Sequence, residues 1–198
     1  VSSILLGGLH RTESEITKKN MLTEIVSGGN FQVQKGMWKL GTVAVQRSLS
    51  DSIAARTDWY ANGKFTGKSQ SAVGMYAEGV WQNVSLFGEV SRSSNNAWAY
   101  VTGLTAALHS RVSATVLFRN FDQDFQSVYS NVIAEGSSVF PSNERGMYVS
   151  VQAQLSKKLS VNAYSDGVHY PWLRYQVTGP SNFSDNVIQF NYKPDKKH

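Results

Sequence analysis

The stretch MYVSVQAQLS, residues 147–156, alternates without a break. Met147, Val149, Val151, Ala153 and Leu155 fall on one side of an extended chain, Tyr148, Ser150, Gln152 and Gln154 on the other. The same period of two returns in NVSLFGEVSR (83–92), VSATVLFRNF (112–121), LSVNAYSD (159–166) and NVIQFNYK (186–193). A helix cannot use this pattern, because 3.6 residues per turn would scatter the apolar side chains around its whole circumference. The chain therefore reads as all-β and antiparallel. What remains to be decided is what each face of the sheet meets.

The rest of the chain supplies more strands and their connections. GMYAEGVW (74–81) leads into 83–92 around Gln82-Asn83, NAWAYVTGLTAALH (96–109) is one long strand, and 30–49 holds two strands about Lys35-Gly36. Lys157-Lys158 and Asp166-Gly167 read as turns, and Pro171, which cannot donate to a ladder, belongs at a strand start or a bulge. RTESEITKKNMLTEIVSGG (11–29) differs: Ile16, Met21, Leu22 and Ile25 form a loose helical stripe, Thr12 and Glu15 a capping box, and Gly28-Gly29 a stop. It reads as a short helix or ordered loop between strands, and the expectation is a short helical insertion near residues 12–26. DFQSVYSNVIAEGSSVFPSNERG (124–146) mixes a strand-like piece with a long loop. The 198 residues suffice for one domain over 1–198, a barrel of roughly ten strands, or a fragment of a larger barrel.

Composition bears on the environment. Charged residues make up 17%, against the ~25% of an ordinary soluble domain. A soluble β-sandwich hides its apolar face and covers the other with Lys and Glu. Here the face opposite the aliphatic one is polar but weakly charged, as the lumen of an outer-membrane β-barrel is. Glu78, Glu89, Arg119 and Asp166 then project into that lumen, with Arg92 near a rim. An Arg on the lipid side would cost about 2–4 kcal/mol near the midplane, so these charges are expected to pair inside as a lumenal polar network. Trp38, Trp59, Trp81, Trp98 and Trp172 fall near predicted turns or strand ends, where aromatic residues anchor a barrel at the two membrane interfaces.

Other classes find little support. No apolar run reaches the ~20 residues of a spanning helix, which says nothing against a barrel. The start, VSSILLGGLHR, lacks the basic region and cleavage site of a signal peptide. The net charge of +5 is scattered, with a cluster only at Lys193, Lys196 and Lys197, so no basic face points to nucleic acid. With no Cys, the redox compartment stays open. No Ser sits in a G-x-S-x-G elbow, and SAVGMYAEG (71–79) lacks the order of a phosphate loop. His10, His109, His169 and His198 stand singly, so no metal or cofactor is called for. Two rivals remain: a soluble sandwich or lipocalin-like binder of a small ligand, and a hydrolase using carboxylates such as Glu78, Glu89 and Asp166.

Several strings go beyond pattern. GLHRTESE (8–15), LFGEVSR (86–92), FRNF (118–121), NERGMY (143–148) and YPWLRY (170–175), in this order, resemble the C-terminal outer-membrane β-barrel region of Bacteroidetes-type proteins that also carry helix-hairpin-helix domains. The likeness runs from about Gly7 to Pro194. It implies an outer-membrane location and a lipid bilayer as partner. The helix-hairpin-helix modules of that family imply contact with DNA during uptake, but paired short helices around a Gly-centred hairpin are absent here, so this chain alone does not support nucleic acid. Such barrels commonly finish on a strand with a terminal aromatic, whereas this sequence stops at KPDKKH, which predicts missing strands or a smaller closed barrel. The expectation is a non-enzymatic outer-membrane barrel, a structural or transport component with partner subunits in a larger machine.

Overall fold

In the computed structural model, which describes residues 11–17, 19–137 and 140–194, the alternation is realised as one continuous ladder. Among the described residues nine strands pair antiparallel in chain order: β1 (Glu24–Lys35), β2 (Trp38–Ile53), β3 (Gly67–Trp81), β4 (Val84–Ser93), β5 (Trp98–His109), β6 (Val112–Phe121), β7 (Glu144–Gln154), β8 (Leu159–Tyr170) and β9 (Ser181–Tyr192). They are ten to sixteen residues long, and a tilted strand needs about 9–11 to cross a bilayer's hydrocarbon. The sheet is not closed: β1 and β9 have no strand partner on their outer sides among the described residues.

The connections differ between the two ends. At one end the chain reverses in tight turns at 36–37, 82–83 and 110–111, with a slightly longer one at 155–158. At the other, 94–97 is short, but 54–66, 122–143 and 171–180 are long. The tight turns follow from local chemistry: Gly36 (φ 61°) and Gln82 (φ 53°) adopt the left-handed backbone that two-residue hairpins require.

The sheet curls, as the meeting of long loops from distant strands shows. Trp172 Nε1 donates to the Trp59 carbonyl (3.1 Å), joining the β8–β9 loop to the β2–β3 loop. Tyr60 and Tyr175 pack edge to face across the same gap, ring centres 5.6 Å apart. The 122–143 segment folds back onto the inside of the curl. There Phe125, Val132 and Ala134 cover Ala97, Ala99 and Phe121, the small apolar core.

Two local expectations need correction. The predicted helix over 12–26 shrinks to one turn, α1 (Glu13–Ile16), capped by Thr12 and Glu15 as the sequence implies. Too few residues follow to offset the cost of nucleating a longer helix, and Ile25, Val26, Gly28 and Gly29 instead join β1, where each has a partner on β2. Asp166-Gly167 is not a turn. It lies inside β8, with Asp166 opposite Tyr148 and Asp185, and Pro171 directly follows the strand. The ladder outweighs the local preference because the Asp166 carboxylate finds a buried cation, described below. His10, His198, Lys196 and Lys197 lie outside the described residues.

Candidate functional site

The register sorts every strand residue onto one of two faces. Turned away from the curl are Ile25, Phe31 and Val33 of β1, Trp38 and Leu40 of β2, Val73 and Met75 of β3, Leu104 of β5, Phe118 of β6, Met147 and Val151 of β7, and Ile188 and Phe190 of β9. These apolar side chains are uncovered: Phe31 is 69% exposed, Met75 64% and Phe190 68%. A contiguous apolar surface of this extent marks a face that another apolar medium or partner must cover.

The opposite face lines the inside of the curl, and it is polar. Near the tight-turn end Lys39 Nζ pairs with its cross-strand neighbour Glu78 Oε1 at 3.0 Å. Higher up, Ser91 Oγ donates to Glu89 Oε1 (3.0 Å), and Tyr164 Oη donates to Asp185 Oδ2 (2.7 Å). Glu78 and Glu89 both line a cavity of about 430 Å³ that lies between this face and the 130–133 part of the long segment.

The most buried cluster centres on Arg119. Its Nε donates to Glu144 Oε1 (2.6 Å), and its two terminal nitrogens donate in parallel to Asp166 Oδ1 and Oδ2 (3.0 Å each). Arg119 is 2% exposed and Glu144 1%. The planar guanidinium suits two carboxylates at once, which a lysine could not satisfy. Gly146, opposite Arg119 in the ladder, makes room for it: a Cβ there would lie 2.6 Å from Arg119 Cζ. Glu144 also accepts from the backbone N–H groups of Glu135 (3.0 Å) and Gly136 (2.9 Å), so the same carboxylate ties down the long segment.

That segment is fastened at further points. Arg47 Nη2 donates to Gln70 Oε1 (2.5 Å), and Gln70 Nε2 donates to the Ser127 carbonyl (2.6 Å). Arg47 Nε stands 3.5 Å from Glu24 Oε1, an ion pair outside hydrogen-bond geometry. Tyr129 Oη donates to Glu24 Oε2 (2.6 Å), reaching from the β6–β7 connection to β1. This bond holds the Tyr129 phenol above its ordinary value of 10.0; partial burial and the charge of Glu24 add to the effect, while Arg47 opposes it. Segment 122–143 is thus a strap across the inside of the curl.

Of the residues singled out in the sequence, Arg119 and Asp166 are brought together. Glu78 and Glu89 face the same interior but hold separate partners. Arg92 does not join them: it falls on the outer face opposite Trp98, its guanidinium 5.2 Å from that ring and bonded to Asn96 Oδ1 (2.9 Å). Trp38 and Trp81 sit at the tight-turn end and Trp98 at the long-loop end, whereas Trp59 and Trp172 lie within the long loops. Each of Glu78, Glu89 and Asp166 is held by a different group, Lys39, Ser91 and Arg119 respectively. No group of His, Asp and Glu able to hold a metal occurs among the described residues, and no helix there is long and apolar enough to cross a membrane.

The sequence reading missed Glu144, Arg47, Gln70 and Tyr129. Glu144 was within reach: stepping back from Tyr148 by twos, through Gly146, places it on the polar face. The anchors of the strap carry no such local signal, because their partners lie 57 and 105 residues away. The chain matches no protein-family model and no curated protein.

Proposed function

We propose that this chain is a non-enzymatic outer-membrane β-barrel component whose interior is closed by a strap, so that it serves as a scaffold more than as an open conduit. One observation carries the reading: the face turned away from the curl is apolar and uncovered, while the covered face holds the ion pairs. That is the reverse of what water favours and what lipid favours. The uneven ends support it, since outer-membrane barrels join their strands by short turns on one side and long loops on the other. Location in a Bacteroidetes-type outer membrane, alongside partner subunits of a larger assembly, belongs to the same proposal and rests on the ordered sequence strings alone.

A bilayer makes one further demand. Open sheet edges are not tolerated in hydrocarbon, so β1 and β9 need partners there. Both strands run from the long-loop end to the tight-turn end, so pairing them directly would introduce a parallel junction; a strand between them, from any source, would keep the set antiparallel.

The test uses Leu104, mid-strand on the outer face. The proposal expects the purified chain to require detergent or lipid, and Leu104→Arg to lower its unfolding free energy in lipid vesicles by about 2–4 kcal/mol. A soluble β-sandwich or small-ligand binder predicts the opposite. A chain that stays monodisperse without detergent and gains solubility from Leu104→Arg overturns the reading.

A further inference from the structure

A cavity of about 570 Å³ lies at the long-loop end, walled by loops 54–66 and 171–180 and by the strap. Its lining is one-sided in charge. Arg47, Arg56, Lys64 and Arg174 face it, and among the described residues no carboxylate does. Arg56 is occupied by Asp58 (3.2 Å) and Arg47 by Gln70. Arg174 has no ion pair among the described residues, and its Nε is buried without a hydrogen-bond partner.

Arg174 does not hang free. Its guanidinium carbon lies 3.8 Å from the centre of the Tyr170 ring, a cation–π contact that uses no N–H donor. Tyr170 also lines the cavity; it is 2% exposed, and its hydroxyl has no partner. A phenol hydroxyl and a guanidinium nitrogen that are both buried and unpaired among the described residues are costly unless something else completes them. Tyr60, Phe65 and Trp172 line the same cavity, with Arg47 over the Phe65 ring (5.0 Å) and Arg56 over the Tyr60 ring (6.0 Å). Aromatic faces stack on rings, whether aromatic or sugar.

We infer that this chamber is a binding site for a small organic oxyanion carried on a ring, a sugar acid or a sugar phosphate. Arg174 receives the carboxylate or phosphate through its planar fork, Tyr170 supplies a hydroxyl hydrogen bond, and the aromatic wall stacks the ring. The fork geometry suits both oxyanions. The volume suits one or two sugar units and lies within the usual span of small-molecule sites. The inference goes beyond the scaffold reading and does not depend on it, because the chamber is built by the loops and by inward-facing strand residues, not by the apolar outer face.

The test is calorimetric titration of the full chain in non-ionic micelles with 4-nitrophenyl β-D-glucuronide, 4-nitrophenyl β-D-glucoside and glucose 1-phosphate. The first two probes differ only at C6, a carboxylate in one and a hydroxymethyl in the other. The expected result is saturable binding of at least one anion, about tenfold tighter than the glucoside. Arg174→Gln should weaken it about tenfold and Tyr170→Phe several-fold. Equal affinity for glucuronide and glucoside together with no binding of glucose 1-phosphate, no saturable heat from either anion, or unchanged binding in Arg174→Gln would overturn the inference. Should Arg174→Gln fail to fold, the comparison of probes in the unaltered chain decides it.

Discussion

Arg119 shows how much a single interior residue is asked to do. One guanidinium pairs with two carboxylates from β7 and β8, and one of these carboxylates holds the strap by two backbone N–H groups. Arg119→Met should therefore destabilise the fold by about 3–5 kcal/mol, since it leaves buried charges without a counter-ion. Adding Glu144→Gln and Asp166→Asn should restore part of that loss; urea unfolding in non-ionic micelles measures both. Tyr129 gives a pH handle. Its phenol is held above the ordinary value of 10.0 by donating to Glu24, so the neutral form is favoured in the folded state. That contribution is complete below pH 10 and disappears as the pH rises through the raised value. Amide hydrogen exchange of the strap should accelerate at high pH beyond its intrinsic rise, and Tyr129→Phe should lack this step.

At the scale of elements, the decisive piece is segment 122–143. Its described residues form no strand or helix, yet it contributes Phe125, Val132 and Ala134 to the core and closes over the 430 Å³ cavity beside Glu78 and Glu89. Ordinary connections in compact domains are short, and a loop this long usually has a task. If the strap is a plug, the intact chain should pass little current across a planar bilayer. Replacing residues 126–134 with a short Gly-Ser link should then raise single-channel conductance several-fold, with a cation preference set by Glu78 and Glu89. An intact chain that already conducts as well as the shortened one would refute the plug.

For the whole molecule, the question is which face meets which medium. Trp38, Trp81 and Trp98 belong to strands; Trp59 and Trp172 belong to loops tied together at the far end. Single-tryptophan versions in vesicles with brominated acyl chains should separate the two groups. Fluorescence of Trp38, Trp81 and Trp98 should be quenched strongly, that of Trp59 and Trp172 weakly. Equal quenching of all five would mean that no girdle is defined by the strand ends.

Period two marks most of the strands and the two faces of each, because side-chain direction in an extended chain is a local property: one residue up, the next down. Glu78, Glu89, Arg119 and Asp166 were assigned to the polar face on that ground alone, and the ladder keeps them there. Parity also puts Arg92 on the outer face, where Trp98 and Asn96 receive it. Local turn signals fared worse where ladder pairing competed with them, at Gly28-Gly29 and at Asp166-Gly167. What no local pattern contained was the closure of the loop end: Tyr129 on Glu24, Trp172 on Trp59, Gln70 on Ser127, and the cationic chamber they enclose. Those contacts join residues far apart in the chain. They exist only once the sheet has curled enough to bring β1 and β2 within reach of the β6–β7 and β8–β9 connections.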